Sequence, residues 1–392
     1  MRKQFFIFTL ILLLLITYTC YKLVFAFNLS KPESLAVTLP LFLLMFGNFF
    51  VSRINPLMDE KKWYQYLTIL GSLLMGFWGT FIIFSIITDF IKIIILIGIN
   101  FLPSQSVVYI EISDWLFKFS NQYSFIIPIV AIIITVLGFL ETIRGPVIKK
   151  IALKHKNINS DLHNFRIVQI SDLHIGPSIQ NEYINKVIQR TQQLDPDIIV
   201  LTGDIIDANP KIFAEQIQLL SHLKAKHGVY YIAGNHEYYW EINTVLNSLK
   251  KTNLTILMNQ NNIIKLNNTN LMIAGITDPT SKKMDPLNSP DLNKTLLNAQ
   301  NSIIDFKILL AHQPNIYSEA SQIGVDLLLS GHTHGGQFFP FNLLVPLVHK
   351  YYRGLAKHHE MAIYVNPGTG YWGPMNRFGI PAEISLLVLT QD

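Results

Sequence analysis

The first feature of the chain is a change in the pattern of hydrophobic and polar positions near residue 140. Before that point apolar residues run together almost without interruption, whereas after it short apolar runs alternate with polar segments. A membrane-spanning helix needs about 20 consecutive apolar residues. We therefore expect a helical transmembrane region of about four helices over residues 1–143 and a separate domain over residues 146–392. The four runs are Phe5–Tyr21, Leu35–Val51, Tyr66–Ile87 and Phe125–Leu140.

A further apolar stretch, Phe90–Leu102, is shorter than a span, and Asp89 and Lys92 interrupt its approach. We expect it to form a re-entrant or interfacial helix after a break at these two charges. The alternative, a fifth span, would move the following domain to the other side of the membrane. Charged residues at membrane depth also mark transport paths, but the four long runs carry few other charges, which argues against a transporter.

Composition and charge agree with this division. Hydrophobic residues make up 50% of the 392 residues and charged residues 15%, whereas soluble domains average about 25% charged residues. The net charge of +5 reflects basic residues beside the apolar runs, and without a basic stretch interleaved with aromatic residues it argues against a nucleic-acid partner. The single cysteine, Cys20, permits no intrachain disulfide.

The loop charges predict which way the chain crosses the membrane. Cytoplasmic loops of membrane proteins carry an excess of Lys and Arg. With four spans and an inner N-terminus, most basic residues fall inside, so we expect a multi-pass protein of the cell inner membrane with a cytoplasmic C-terminal domain. The basic residues on the cytoplasmic side of the membrane would be Arg2, Lys3, Arg53, Lys61, Lys62, Arg144, Lys149, Lys150, Lys154 and Lys156.

After residue 146 the pattern alternates between strands and helices, which predicts a layered α/β fold. Helical spacing favours helices over Gln180–Gln193 and Ile212–Lys226, and Pro146–His155 alternates apolar and basic residues like an edge strand or a linker. The strands are predicted at Phe165–Ile170, Asp197–Leu201, Val229–Ala233, Leu254–Met258, Ile263–Leu266, Leu271–Ala274, Phe306–Leu310, Asp326–Leu329, Ala362–Val365 and Ile384–Leu389.

Five of these strands run into residues that commonly bind metals, at the sheet edge where α/β folds bind ligands. Carboxylate, amide and imidazole groups without a thiolate suit Mn²⁺, Fe or Zn²⁺. Seven ligands are too many for one ion, so we expect two divalent metal ions with a bridging carboxylate. Such a pair can activate a bridging hydroxide and clamp a phosphoryl group. The candidates are Asp172, His174, Asp204, Asn235, His312, His332 and His334.

These blocks resemble the calcineurin-like metallophosphoesterase superfamily, and Gly335–Gly336–Gln337 together with the C-terminal Gly368, Gly370 and Arg377 resemble its bacterial membrane-associated branch. The resemblance implies an α/β (α+β) fold in which a four-layer αββα sandwich follows the transmembrane helices. It implies that Asp204 bridges the two metals. The blocks are Asp172–Leu173–His174, Gly203–Asp204–Ile205–Ile206–Asp207, Gly234–Asn235–His236–Glu237, His312 and Gly331–His332–Thr333–His334. One metal would be held by Asp172, His174, Asp204 and His334, and the other by Asp204, Asn235, His312 and His332.

The resemblance also implies catalytic roles for His236 and Asp207. His236 would contact the scissile phosphate and protonate the leaving oxygen, and Asp207 would orient His236 and raise its pKa. Arg377 could pair with a substrate phosphate or form a structural ion pair. Glu237, Tyr238, Tyr239 and Trp240 could line the substrate entrance or pack the helix that follows.

We therefore expect a metallophosphoesterase that hydrolyses a phosphate ester or pyrophosphate, with a lipid-linked substrate accounting for the membrane region. A UDP-diacylglucosamine-type pyrophosphate is one candidate, because members of the family it resembles cleave such bonds. Two alternatives stay open, a broad phosphodiesterase or nuclease and a membrane sensor or transporter with a regulatory phosphoesterase domain.

Overall fold

The computed structural model describes residues 2–27, 29–54, 56–296 and 303–391. The chain divides into two compact units, one comprising Met1–Gly138 with Gly373–Met375 and the other comprising Phe139–Trp372 with Asn376–Asp392. The helices are α1 (Arg2–Phe27), α2 (Lys31–Ile54), α3 (Lys62–Ile99), α4 (Val107–Arg144), α5 (Asn181–Gln192), α6 (Ala214–Gln218), α7 (Asn235–Tyr239), α8 (Ile242–Leu249), α9 (Ser281–Met284), α10 (Leu292–Leu296) and α11 (Tyr317–Gln322). The strands are β1 (Val147–Lys154), β2 (Arg166–Ile170), β3 (Ile198–Thr202), β4 (Val229–Ile232), β5 (Thr255–Ile256), β6 (Gln260–Leu266), β7 (Thr269–Gly275), β8 (Phe306–Leu310), β9 (Leu327–Ser330), β10 (Gly354–His358), β11 (Met361–Val365) and β12 (Glu383–Thr390).

Helix α3 corrects the expectation for Phe90–Leu102. It runs without a break through Asp89 and Lys92 for 38 residues, a length of about 57 Å at 1.5 Å per residue. The predicted break is wrong because the charge of Asp89 is satisfied from a neighbouring helix rather than by solvent at a turn. Lys22 Nζ lies 2.5 Å from Asp89 Oδ1, and the hydroxyl of Tyr18 donates to Asp89 Oδ2 at 2.7 Å. Lys22 lies inside α1, so the ion pair joins two helices.

Two helices among the described residues are long and apolar enough to cross a membrane, Lys62–Ile99 and Phe125–Arg144. They contain the predicted spans Tyr66–Ile87 and Phe125–Leu140. The other two predicted spans lie within α1 and α2, where the side chains of residues 2–9 and 48–50 fall outside the described part. Those two spans stay predictions.

The second unit is built on two six-stranded sheets. The first has the order β1-β12-β2-β3-β4-β5 and the second has the order β10-β11-β9-β8-β7-β6. In the first sheet β2, β3, β4 and β5 are parallel, and in the second β7, β8, β9 and β11 are parallel. The carboxyl ends of the parallel strands of each sheet therefore lie along one edge.

One hydrophobic core lies between the sheets. Ile198 and Val200 of β3 pack in the same cluster as Phe306 and Ile308 of β8. Side chains alternate between the faces of a strand, so Ile199 and Leu201 point to the opposite face of the first sheet, and they are fully buried too. Each of these strands is therefore covered on both faces, as parallel sheets generally are.

Helices supply the outer layers. On the outer face of the second sheet, Ala320 of α11 packs with Leu309 and Leu328. Helix α5 buries Ile184 and Val187, and α8 buries Val245 and Leu249. The predicted α/β class, with an N-terminal helical region, is confirmed.

In the second unit a predicted helix is shorter than expected and one strand was not predicted. The predicted helix Ile212–Lys226 is short, because α6 ends at Gln218 and a tight 3₁₀ turn over Leu219–His222 follows. That tighter turn buries both Leu220 and Leu223. Strand β10 was not predicted, and its half-exposed residues explain why it lacks an apolar run. Pro146–His155 contains β1, which lies at the edge of the first sheet.

The inter-sheet core gives a first testable prediction. Phe306 is fully buried, so Phe306→Ala should destabilise the domain by about 3–5 kcal/mol through lost burial and a residual cavity. Thermal unfolding of the purified full chain in detergent would measure this. The matched control is Ile303→Ala, three residues earlier and 85% exposed, where we expect a change within about 0.5 kcal/mol. Equal effects of the two substitutions would contradict the assigned core.

Candidate metal centre

The candidate ligands follow the ends of neighbouring parallel strands at nearly the same distance. Asp172 follows β2 by two residues, Asp204 follows β3 by two, and His312 follows β8 by two. Backbone hydrogen bonds continue beyond the strands, with the amide of Asp172 donating to Gly203 O at 3.0 Å and that of Gly331 donating to His312 O at 2.9 Å. Asp172 and His312 are thus placed by continuations of the sheet hydrogen bonding rather than by a free loop.

Hydrogen bonds also join the two sheets at this edge. Gln169 Nε2 donates to Ser330 O and to Thr202 Oγ1, both at 2.9 Å. The amide of His332 donates to both carboxylate oxygens of Asp172, at 3.0 and 3.1 Å. These hydrogen bonds therefore fix the position of ligands from one sheet relative to ligands from the other.

Many of the candidate ligands have backbone angles that residues with a side chain rarely adopt. Positive φ values occur at five of them, and non-glycine residues in this region carry a steric cost. Such angles turn the chain sharply at the strand end and point the side chain along the edge. The five are Asp172 (51°), His174 (54°), Asp204 (51°), His332 (70°) and His334 (50°).

Glycines allow the strand ends to approach one another. At Gly203, with φ of 87°, a Cβ atom would overlap the ring of His312 and the backbone of Gly234. At Gly331 it would overlap Ser171 and the carboxylate of Asp172. No other residue fits at these two positions without displacing a candidate ligand.

The first group of ligand atoms belongs to Asp172, His174 and His334. The Nε2 atoms of His174 and His334 lie 3.2 Å apart, and His334 Nε2 lies 3.5 Å from Asp172 Oδ1. All three side chains are buried. The ring nitrogens converge on one point with a carboxylate beside them.

The second group belongs to Asp204, Asn235, His312 and His332. His312 Nε2 lies 3.1 Å from Asp204 Oδ2 and 3.2 Å from Asn235 Oδ1. Ligand atoms of Asp204, His312 and His332 all lie within 4.8 Å of one another. The other ring nitrogen of His312 lies 2.8 Å from Thr202 O, which fixes the ring so that Nε2 faces the group.

Asp204 interacts with both groups. Burial raises the pKa of its carboxyl, but His312, His236 and His174 together outweigh burial and hold the pKa well below its usual range. Its Oδ1 accepts the amide N–H of His236 at 2.8 Å. Asp204 therefore belongs by distance to the second group, its carboxyl pKa is also lowered by His174 of the first, and its bridging role stays a prediction.

The arrangement fits a pair of divalent cations. Atoms that share one metal ion lie about 3 to 3.5 Å apart, and four pairs of candidate ligand atoms here lie 3.1 to 3.5 Å apart. Oxygen and imidazole donors suit Mn²⁺, Fe or Zn²⁺. Buried carboxylates are generally paired with a cation or bound to a metal, so this cluster of buried carboxylates and imidazoles is compatible with metal binding.

His236 and Asp207 form a separate pair beside these groups. His236 Nδ1 lies 2.7 Å from Asp207 Oδ1, and the indole of Trp240 donates to the same oxygen at 3.1 Å. Burial lowers the pKa of His236, but Asp207 and Asp204 outweigh burial and raise it to about 9. Ligand atoms of His174, Asp207 and His236 also lie within 4.8 Å of one another, so the pair adjoins the first group.

Glu237 has a role that the sequence did not indicate. It is fully buried, which excludes, in this conformation, the alternative that it lines the substrate entrance. Its carboxylate accepts four backbone N–H groups, at 2.7 to 3.1 Å, and thereby holds the turn that carries Asp204. The donors are Gly234, Asp204, Ile205 and Ile206.

Arg377 was expected to pair with a substrate phosphate or to form a structural ion pair, and it does neither. It is fully buried, which excludes a substrate contact in this conformation, and its hydrogen bonds go to the carbonyl oxygens of Pro367, Gly368 and Gly370 rather than to a carboxylate. Its Nη2 lies 3.2 Å from His334 Nδ1. Arg377 therefore ties the C-terminal loop to the back of a candidate ligand.

Gln337 ties a second part of that loop to the centre. Its side-chain amide donates to Trp372 O at 2.9 Å and accepts the amide N–H of Trp372 at 2.8 Å. The indole of Trp372 packs edge-on against the ring of His236, with centroids 5.4 Å apart. The two hydrogen bonds to Trp372 give a structural role to Gln337, which follows Gly335 and Gly336.

The sequence of this chain matches a known protein family. The family model described as calcineurin-like phosphoesterase matches residues 165–336. An uncharacterized metallophosphoesterase of Campylobacter jejuni is 32% identical over 334 residues, which are 84% of this chain and 82% of the relative. The chain belongs to the calcineurin-like phosphoesterase family.

Two further relatives match a smaller share of this chain. An uncharacterized metallophosphoesterase of Helicobacter pylori is 37% identical over 254 residues, 64% of this chain and 66% of the relative. A protein of Bos taurus named transmembrane protein with metallophosphoesterase domain is 30% identical over 271 residues, 66% of this chain and 61% of the relative. The matches therefore span about two thirds or less of these two proteins.

The hydrogen bonds of Glu237 give the second prediction. Glu237→Gln replaces one acceptor oxygen with a donor that faces backbone N–H groups, which should destabilise the domain by roughly 1–3 kcal/mol and weaken metal binding by displacing Asp204. Thermal unfolding of the full chain with and without Mn²⁺ would measure both effects. The control is Glu241→Gln, four residues later on the surface, and identical melting of the two variants would argue against this role.

Proposed function

We propose that this chain is a metal-dependent phosphoesterase that hydrolyses a phosphate ester or pyrophosphate with two divalent metal ions. The observation that carries the proposal is the convergence of seven candidate ligand side chains from both sheets at one edge. In the proposal one ion is held by Asp172, His174, Asp204 and His334, and the other by Asp204, Asn235, His312 and His332. When bound, such a pair supplies Lewis acidity to the phosphoryl oxygens and lowers the pKa of a water molecule.

His236 supplies the proton for the leaving oxygen in this proposal. Its Nδ1 is engaged by Asp207, so Nε2 is the ring atom left to face a substrate, and it lies 3.9 Å from Asp204 Oδ2. The carboxylate of Asp207 favours a protonated ring and fixes its orientation. Transfer of the Nε2 proton neutralises the developing alkoxide as the bond to phosphorus breaks. The rings of Tyr239 and Trp372, with centroids 5.3 and 5.4 Å from that of His236, flank the imidazole and limit access of water.

We further propose that residues 1–143 anchor the enzyme in a membrane and that residues 146–392 form the catalytic domain. Helices α3 and α4 contain apolar stretches of spanning length, and a relative carries the name of a transmembrane protein. The distribution of basic residues favours the inner membrane of the cell with a cytoplasmic catalytic domain. A lipid-linked phosphate or pyrophosphate is the substrate class that such an anchor serves.

A substrate panel tests the function. The purified full chain with Mn²⁺ should release phosphate or nucleotide from at least one phosphoester, and a UDP-diacylglucosamine-type pyrophosphate and a water-soluble aryl phosphate should both be included. Absence of turnover on every member, in protein shown to contain metal, would overturn the proposal.

The shared carboxylate gives the third prediction. Asp204→Asn removes the charge that both ions would share, so affinity for Mn²⁺ should fall at least about 100-fold, more than typical losses from outer-shell changes. Calorimetric titration of the full chain measures this. Asp305→Asn, at the amino end of β8, is the matched control and should retain wild-type affinity. Unchanged affinity in Asp204→Asn would contradict the assignment of Asp204.

The proton donor gives the fourth prediction. His236→Ala should keep its metal content and lose about 10²- to 10⁴-fold in kcat on an alkyl phosphate, with a much smaller loss on a nitrophenyl phosphate, whose leaving group needs no proton. Steady-state rates on both substrates and metal analysis of the variant test this. His222→Ala, an exposed histidine on the same domain, serves as control. Equal losses on both substrates would rule out proton donation to the leaving group.

A further inference from the structure

A segment rich in exposed apolar residues follows the last candidate ligand. It comprises residues 341–348, called here the apolar loop. Leu347 is 80% exposed, Val348 77% and Leu343 57%. Contiguous apolar exposure of this kind is uncommon on a water-facing surface and generally marks an interaction site.

The apolar loop is attached to the candidate metal centre at both of its ends. At its first end, the amide of Asn342 donates to the oxygen of Phe338 at 3.0 Å, and Phe338 follows His334 by four residues. After it, Thr333 Oγ1 donates to Tyr352 O at 2.6 Å, and the ring of His349 lies 6.0 Å from that of His332. The loop is therefore fixed beside the ligands while its apolar side chains stay exposed.

A second segment with the same character lies beside another ligand-bearing element. Met284 is 51% exposed and Leu287 is 95% exposed. They belong to the stretch that begins with α9, which packs against α7, and α7 carries Asn235 and His236. Two segments beside ligand-bearing elements thus present exposed apolar side chains.

Cationic side chains accompany both segments. Lys282 and Lys283 precede Met284. Lys350 and Arg353 follow the apolar loop. The side chains of these four residues are exposed. Lys350 is held over the rings of Tyr317 and Tyr351, at 5.4 and 5.3 Å. Apolar tips flanked by fixed cations are typical of segments that enter the boundary between lipid headgroups and acyl chains of an anionic membrane.

We propose that the apolar loop and the Lys282–Leu287 stretch contact the surface of an anionic lipid bilayer. The occupant is a bilayer because the same chain carries helices of membrane-spanning length and because the exposed cations complement anionic headgroups. The contact presents the metal centre to phosphates in the headgroup layer. That last consequence rests on the proposed function, whereas the contact itself does not.

Lipid quenching of a label in the apolar loop tests the contact. The full chain, with Cys20→Ala removing its one cysteine, receives Leu347→Cys labelled with an environment-sensitive fluorophore. It is reconstituted in phosphatidylglycerol-containing nanodiscs with or without bromine on the acyl chains. The matched control is Ile303→Cys, which replaces an apolar residue that is 85% exposed at the amino end of β8, the opposite edge of the second sheet.

We expect blue-shifted emission and quenching by brominated lipid at position 347 and neither at position 303. Equal quenching at the two positions, or none at 347, overturns the proposed contact. These outcomes do not depend on hydrolysis, so they stand whether or not the enzymatic proposal survives.

A charged substitution then tests the consequence for the substrate. Leu347→Asp should lower kcat/KM about tenfold on a phosphate ester embedded in the nanodisc, because a leucine that enters the bilayer in this proposal is replaced by a charge. Hydrolysis of a water-soluble nitrophenyl phosphate should stay unchanged. Equal loss on both substrates overturns this consequence. Failure of the wild type on both substrates would instead count against the proposed function, with the quenching result still deciding the contact.

Discussion

The structure depends above all on how it compensates carboxylates that are buried close together. Asp172 and Glu237 are fully buried and Asp204 is 2% exposed. Burying a charge is costly unless partners replace the lost water. Glu237 receives backbone N–H groups, and Asp172 receives the hydroxyl of Ser171 and the amide of His332. Asp204 faces imidazoles and the amide of His236. Divalent cations bound between the converging ring nitrogens and carboxylates would compensate the remaining negative charge.

The sheets make this concentration of charge possible. Parallel strands bring their carboxyl ends to one edge, and hydrogen bonds such as that of Gln169 hold the edges of the two sheets together. The cost appears as positive φ angles at five candidate ligands. Such angles persist only where the surroundings fix them, and here the inter-sheet core and the hydrogen bonds of Glu237 and Arg377 do so.

Much of this arrangement could be predicted from the sequence, and the remainder fails for identifiable reasons. The strands and the polar residues at their ends are read from local patterns, because apolar runs and their boundaries are properties of neighbouring residues. The roles of Glu237 and Arg377 depend on contacts with distant backbone atoms, which no local pattern records. Strand β10 has no apolar run, and the unbroken helix α3 requires the partner Lys22 from another helix, so both needed the three-dimensional structure. The ligand roles and the side of the membrane on which the domain lies remain predictions.

The central proposal is that these side chains hold two divalent metal ions. Elemental analysis of the purified wild-type chain, combined with a titration of metal back into chelator-treated protein while hydrolysis is followed, tests it most directly. We expect about two equivalents of divalent metal per chain, loss of activity on chelation, and full recovery only as the second equivalent binds. A chain that hydrolyses phosphoesters without metal, or that binds none at this edge of the sheets, would contradict the account.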